Sequence, residues 1–324
     1  MANPPTATET QQMQQSLVEL KSSTRDDYRK LAQHFYSSRL DGQPPSPKRT
    51  RDALQLAAAD WRPDYWRRVR NALMYDQVAA GYYDNAASIK ATHNPVTRPQ
   101  TAADRQMRET VGGKPGTRQN RVKKLSEADC SGLYKAIIEN KDRELLVAVA
   151  VAQATGARPT EILGIECLAN GTIFIPGAKK GADGKRGLDR HLSVSAETWG
   201  NVKTSIALLR KANPGKAGVM HKLQSRMQTL TARLWPRRKA HPSLYSFRYA
   251  LGSELKASGL SRREVAYIMG HQATASADRY GDRRSGSGKT PIKAAPGADM
   301  SSVRETHTEP FSQSVGHHEG PSLG

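Results

Sequence analysis

Residues 143–154, RELLVAVAVAQA, carry apolar side chains on nearly every face of a helical wheel. A helix that is hydrophobic all round must be enclosed by other elements, so this segment predicts the middle of a core. The residues immediately after it constrain the chain more tightly still. Gly156-Ala157-Arg158-Pro159-Thr160-Glu161 sets an arginine and a glutamate directly against the most apolar stretch of the chain. A guanidinium near a core is costly unless a carboxylate or a bound anion compensates it. Glu161, three residues on, is within reach of orienting Arg158, and Pro159 fits the first turn of a further helix.

The surrounding pattern fills in a domain over 123–284. Ser126 and Asp129 mark a helix start, and Leu133, Tyr134, Ile137 and Ile138 form its buried stripe. TIFIP (172–176) and HLSV (191–194) read as short strands, joined by the Gly-rich, lysine-bearing loop KKGADGKRGLD. Helical spacing returns at 196–211, 219–234, 243–257 and 261–269. The last has a capping box in Ser261 and Glu264, with Gly270 as its stop. The expected fold is therefore mainly α with a small antiparallel hairpin.

Upstream, residues 21–92 read as a second, all-helical unit. Thr24 and Asp27 suggest a helix start, with Tyr28, Leu31 and Phe35 on one face. DGQPPSPKRT (41–50) is a breaker-rich loop, 51–60 is helical, Pro63 interrupts, and 64–80 resumes with Trp66, Val69 and Leu73 buried. Arg67, Arg68 and Arg70 surround that face and are expected to contact DNA. Residues 1–20 are expected to be a disordered lead, 93–122 a basic linker and 285–324 a disordered tail.

Charge narrows the partners. Across 324 residues there are 50 Lys+Arg and 30 Asp+Glu, a net +20, which points to a polyanion, nucleic acid first. No apolar run approaches the roughly 18 residues of a membrane span, and the first residues lack the layout of a signal peptide. Cys130 and Cys167 sit in no CxxC or zinc spacing, so a disulfide scaffold and a structural metal site are not expected. Both thiols read as core fillers in a reducing cytoplasm.

Four segments of the second domain hold charged or nucleophilic residues where a core would not want them. They are Arg158 with Glu161; the hairpin lysines Lys179, Lys180 and Lys185; Arg248 in LYSFRY (244–249); and His271 after Met269-Gly270, with Tyr280 nine residues later. Their order and spacing resemble the catalytic domain of the tyrosine recombinases, the phage-integrase family. TGARPTEILGI is similar to that family's first box, and YSFRYALGSELKASGLSRREVAYIMGHQATASADRY is similar to its second box through to the nucleophile. The resemblance covers roughly 123–284, and the helical unit at 21–92 is placed like the family's core-binding domain. One position departs from the pattern: the box written His-x-x-Arg reads Tyr245-x-x-Arg248 here, and His241, seven residues before Arg248, is poorly placed to substitute.

The resemblance implies a site-specific recombinase that cuts and rejoins double-stranded DNA through a covalent 3′-phosphotyrosine, encoded by a bacterium or a phage and acting at the nucleoid. It implies Tyr280 as nucleophile and Arg158, Arg248 and His271 on the scissile phosphate, with Glu161 and Tyr245 in support. It also implies a hairpin lysine as general acid. Lys180 is preferred, just past the first strand, with Lys179 and Lys185 alongside it on DNA. It further implies a homo-tetramer on DNA with DNA-bending accessory proteins, and neither metal nor ATP as cofactor. Two other readings fit parts of the sequence: a non-catalytic helix-turn-helix regulator built on LSRREVAYIMGH, and a type IB topoisomerase-like enzyme.

Overall fold

The computed structural model describes residues 5–40, 46–112, 122, 124–178, 187–215, 217–290 and 292–311. The chain divides into two units, Met1–Gln119 and Asn120–Gly324. It is mainly helical, with one small antiparallel sheet in the second unit.

The first unit holds helices α1 (Ala7–Val18), α2 (Ser22–Arg39), α3 (Pro47–Leu56), α4 (Pro63–Ala79), α5 (Tyr83–Ala91) and α6 (Ala102–Thr110). Pro63 begins α4, where its missing N–H costs nothing, and Ser46 caps α3 just ahead of Pro47. Phe35, Leu54, Trp66, Val69, Leu73 and Ile89 make the core. The Trp66 indole donates to the Leu54 carbonyl at 2.6 Å, so the largest ring is buried with its polar atom satisfied.

Three expectations change here. The described part of the lead, from residue 5, is not disordered: Thr6 and Glu9 form a capping box that opens α1, and Met13 packs with Val78 and Ala86. The linker contains α6, opened by Thr101 and Asp104, and its described part is tied to this unit. His93 and the Gln100 and Thr101 amides converge on the Asp104 carboxylate, while Val96, Met107 and Val111 join the core. Thr24 caps nothing, because α2 starts at Ser22 after Lys21.

The second unit begins with α7 (Glu127–Glu139), opened by the Ser126–Asp129 capping box, and α8 (Arg143–Thr155). The short α9 (Pro159–Ile162) leads to strands β1 (Glu166–Cys167), β2 (Thr172–Ile175) and β3 (Arg190–Val194). Helices α10 (Ala196–Ala212), α11 (Val219–Leu234), α12 (Leu244–Ala257) and α13 (Arg262–Ile268) come next, then 3-10 turns at Thr274–Arg279 and Arg283–Ser285 and strand β4 (Ile292–Ala294). As its composition demands, α8 is enclosed: Leu145, Ala148, Val149, Val151 and Ala152 are buried in the core with residues of α10, α11 and α12.

The sheet runs β1-β2-β3-β4, antiparallel throughout. In the β2–β3 register Ile173 faces Leu192 and Ile175 faces Arg190, so an arginine occupies a position where alternation calls for an apolar residue. β4 corrects the expectation of a disordered tail for the described residues up to Phe311, and residues 312–324 of that expectation lie outside the described residues. Ile292 pairs with Val194 and is fully buried, and Val303 and Phe311 also reach the core. Cys130 and Cys167 are free, half-buried thiols against that core, and burial pushes both pKa values up. Among the described residues no helix is long and apolar enough to cross a membrane.

Candidate active site

The site starts where α8 stops. Gly156 takes the left-handed conformation (φ 57°) that ends the helix, leaving its carbonyl free to accept from Arg248 Nη1 at 2.9 Å. Two residues on, Arg158 is the N-cap of α9, and Glu161 reaches back to it. Glu161 Oε2 accepts the Arg158 amide at 2.8 Å, and Oε1 accepts Arg158 Nη1 at 2.5 Å. The box read from the sequence is thus a fork that fixes the guanidinium in one rotamer.

α12 supplies the second arginine. Arg248 is completely buried. Its Nη2 donates to the Met269 carbonyl and, at 3.1 Å, to His271 Nε2. Arg158 Nη2 donates to the next carbonyl, that of Gly270, at 3.3 Å. The end of α13 is therefore where the two arginines, ninety residues apart, meet. Gly270 is required there: it has φ +62°, and a Cβ would lie 2.6 Å from Arg190 Nη1.

His271 comes next, buried, and because an arginine nitrogen can only donate, its Nε2 must accept and its proton sits on Nδ1. Burial, together with Arg248 and Arg158, holds its pKa well below the ordinary histidine value, so the ring is neutral.

Tyr280 closes the pocket at the end of the 3-10 turn Thr274–Arg279. Its ring centre lies 4.9 Å from that of His271 and 5.3 Å from that of Tyr249. The loop is held from α12: Lys256 donates to the Gly281 carbonyl at 3.0 Å, and Ser253 Oγ accepts the Asp282 amide at 3.0 Å. Burial pushes the Tyr280 pKa up, but Arg248, Arg158 and a hydrogen bond from Tyr245 outweigh it, and the net direction is down. Tyr245 itself is raised by burial and by Tyr280. The residue at the departing position is thus a neutral phenol that donates to the nucleophile candidate.

Arg190 was not singled out in the sequence. It opens β3, is completely buried, and donates from Nη2 to Glu161 Oε2 at 2.8 Å. One buried carboxylate is therefore shared by two guanidiniums. Burial pushes the Glu161 pKa up, yet Arg190 and Arg158 outweigh this and bring it down to about 2. Burial and the neighbouring arginines pull Arg248 down to about 9, so it remains charged at neutral pH. Three guanidiniums facing one carboxylate leave a pocket with surplus positive charge beside a phenol of lowered pKa. That is an arrangement for holding an anion at a nucleophile.

Not every expected residue is in it. Lys179, Lys180 and Lys185 lie outside the described residues. Arg67, Arg68 and Arg70 lie on α4 of the first unit. Arg67 pairs with Asp64 and Arg68 with Asp27, both at the surface. Arg70 is half-buried over the Trp66 ring and donates to the Thr92 carbonyl. Among the described residues no group of three or more His, Cys, Asp or Glu side chains could hold a metal ion.

No family model and no curated protein matches the sequence. Solved structures do match. The Tn1549 transposon integrase in complex with circular intermediate DNA is similar over 84% of this chain and 94% of its own, at 16% identity and TM-score 0.54. The same integrase with transposon right end DNA gives 15% identity and TM-score 0.52 over 83% and 93%. A lambda integrase tetramer bound to a Holliday junction gives 15% identity and TM-score 0.53 over 87% of this chain and 79% of that one. The chain has the fold of the tyrosine recombinases and integrases.

Proposed function

We propose that this protein is a site-specific DNA recombinase that breaks and reseals phosphodiesters through Tyr280. One observation carries the reading. Arg158, Arg248, His271 and Tyr280, drawn from separate segments of the second unit, meet around the end of α13.

The chemistry derives from the charges. A phosphodiester and a phenolate are both anions, and fixed cations must bring them together. Arg158 and Arg248 stabilise the charge that builds on the non-bridging oxygens as phosphorus becomes five-coordinate. The Tyr280 phenolate, its proton lost to solvent, attacks phosphorus, the bond to the 5′-oxygen breaks, and a 3′-phosphotyrosine forms. The departing 5′-alkoxide takes a proton, and the hairpin lysine, Lys180 by preference, is the proposed acid. Resealing runs the same steps backwards with a 5′-hydroxyl as nucleophile. Because one ester is exchanged for another, the reading calls for no ATP, and the arginines supply the charge that a metal would.

The helical first unit and the net charge of +20 support duplex DNA as the partner. On this reading four protomers act on two duplexes with accessory DNA-bending proteins, at the nucleoid of a bacterial cytoplasm. The helix-turn-helix alternative is disfavoured, because Val265, Ala266, Tyr267 and Ile268 of α13 are buried in the core.

The test is a nicked suicide duplex carrying the recombination site, sought at the ends of the element that encodes the protein. Wild-type protein should form a covalent adduct, and Tyr280→Phe should form none while still binding. An adduct that persists in Tyr280→Phe removes the nucleophile and the reading with it.

A further inference from the structure

Glu161 does two things that conflict. Its carboxylate fixes the Arg158 guanidinium through Oε1 and the Arg158 amide through Oε2. It also places a full negative charge, completely buried, against the cation that must hold an anionic phosphate. A neutral Arg158–Glu161 pair would orient well and attract poorly.

Arg190 meets this conflict. Its Nη2 lies 2.8 Å from Glu161 Oε2, and neither side chain is exposed. The guanidinium sits behind Gly270, the residue whose carbonyl Arg158 also holds. Its remaining nitrogens, Nε and Nη1, have no hydrogen-bond partner among the described residues. An arginine kept in a strand position meant for an apolar side chain, with part of its donor capacity unused, is poor packing, and an isosteric apolar residue would fill the space at less cost. Its position makes sense for its charge.

We infer that Arg190 is a positioning residue which offsets Glu161, so that Arg158 keeps its charge for the phosphate while Glu161 keeps it in place. The inference rests on the recombinase reading for its substrate and on the geometry for its electrostatics. Arg190 touches neither nucleophile nor phosphate in this role; it acts through Glu161.

The experiment is a double-substitution cycle in the full chain. Arg190→Met should slow adduct formation on the suicide duplex about tenfold, and adding Glu161→Gln should recover much of that loss, because the charge to be offset is gone. A merely structural Arg190 gains nothing from the second change. A double variant as slow as Arg190→Met, or slower, overturns the inference. Arg190→Lys, which keeps the charge, should stay closer to wild type than Arg190→Met, and the reverse order also overturns it. If Arg190→Met does not fold, a folded double variant supports the charge coupling, and a double variant that also fails to fold overturns it.

Inorganic phosphate reads the pocket without DNA chemistry. Phosphate should raise the wild-type melting temperature. Arg158→Met and Arg190→Met should each reduce that rise, and Glu161→Gln added to Arg190→Met should restore what Arg190→Met loses. If wild-type protein makes no adduct but shows this pattern, the recombinase reading fails and the role of Arg190 stands. If the adduct forms and Arg190→Met keeps the full phosphate response, the role of Arg190 fails alone.

Discussion

The Arg248 guanidinium carbon lies over the Tyr280 ring, 5.0 Å from its centre. Arg248 is buried and its rotamer is fixed by the Gly156 and Met269 carbonyls, so its charge is held beside the phenol whether or not an anion is bound. A preset charge of this kind needs no rearrangement during reaction, which is where electrostatic stabilisation is most effective.

The first consequence concerns pH. The phenolate fraction of Tyr280 should rise with pH with its midpoint below the ordinary tyrosine value of about 10, because its pKa is lowered in the folded protein. Arg158→Met removes one of the cations that lowers it and should move the rise to higher pH. His271, neutral in the folded chain, should add no second inflection near the ordinary histidine value of about 6.5. Adduct formation measured against pH with wild type and Arg158→Met checks this, and a wild-type midpoint at or above that of a free phenol would contradict it.

Gly270 should tolerate no side chain. Gly270→Ala meets a φ of +62°, a left-handed conformation costing about 1–2 kcal/mol for an L-residue, and drives a methyl toward Arg190 and Arg158. Stability in urea should fall by at least that strain, and adduct formation should fall further than stability explains, because both guanidiniums are displaced. A variant with unchanged urea midpoint and rate would show that the close approach has no consequence.

Cleavage should occur within one chain. Tyr280 and its arginines lie in the same unit of the same chain, so a mixture of Tyr280→Phe and Arg158→Ala proteins should yield no adduct beyond that of either alone. Restored adduct in the mixture would mean that the tyrosine is delivered to a neighbour's pocket.

The end of the chain should matter for stability. Ile292 is fully buried against the core and pairs with Val194, so Ile292→Ala should cost about 2–5 kcal/mol in denaturant unfolding. A cost near zero would mean that β4 contributes nothing to the second core.

Much of the site was legible because it is written in boxes. Arg158 with Glu161, Arg248, and Gly270-His271 with Tyr280 each combine a local helix signal with a residue that a core rejects, and the structure brings them together. Arg190 had no such signal. It comes after a Gly-rich loop where a basic residue reads as exposed, and only its register opposite Ile175 and its partner 29 residues away reveal that it is buried. β4 was invisible for a related reason. Three residues around one isoleucine make no periodic pattern, and the strand exists because β3 offers an edge. In α1 and α6 the apolar stripe is too thin for periodicity, and capping boxes and contacts such as Met13 with Val78 define them instead.

The seam between α12 and the Tyr280 loop contains no padding. At Gly252 a Cβ would stand 3.0 Å from the Tyr280 carbonyl oxygen, and at Gly281, with φ +67°, it would strike the Ser253 backbone. Backbone rests on backbone there, pinned by Lys256 and Ser253 together. Such a joint leaves no room for a side chain at either glycine, so the position of the Tyr280 loop against α12 is set by backbone contact and two hydrogen bonds.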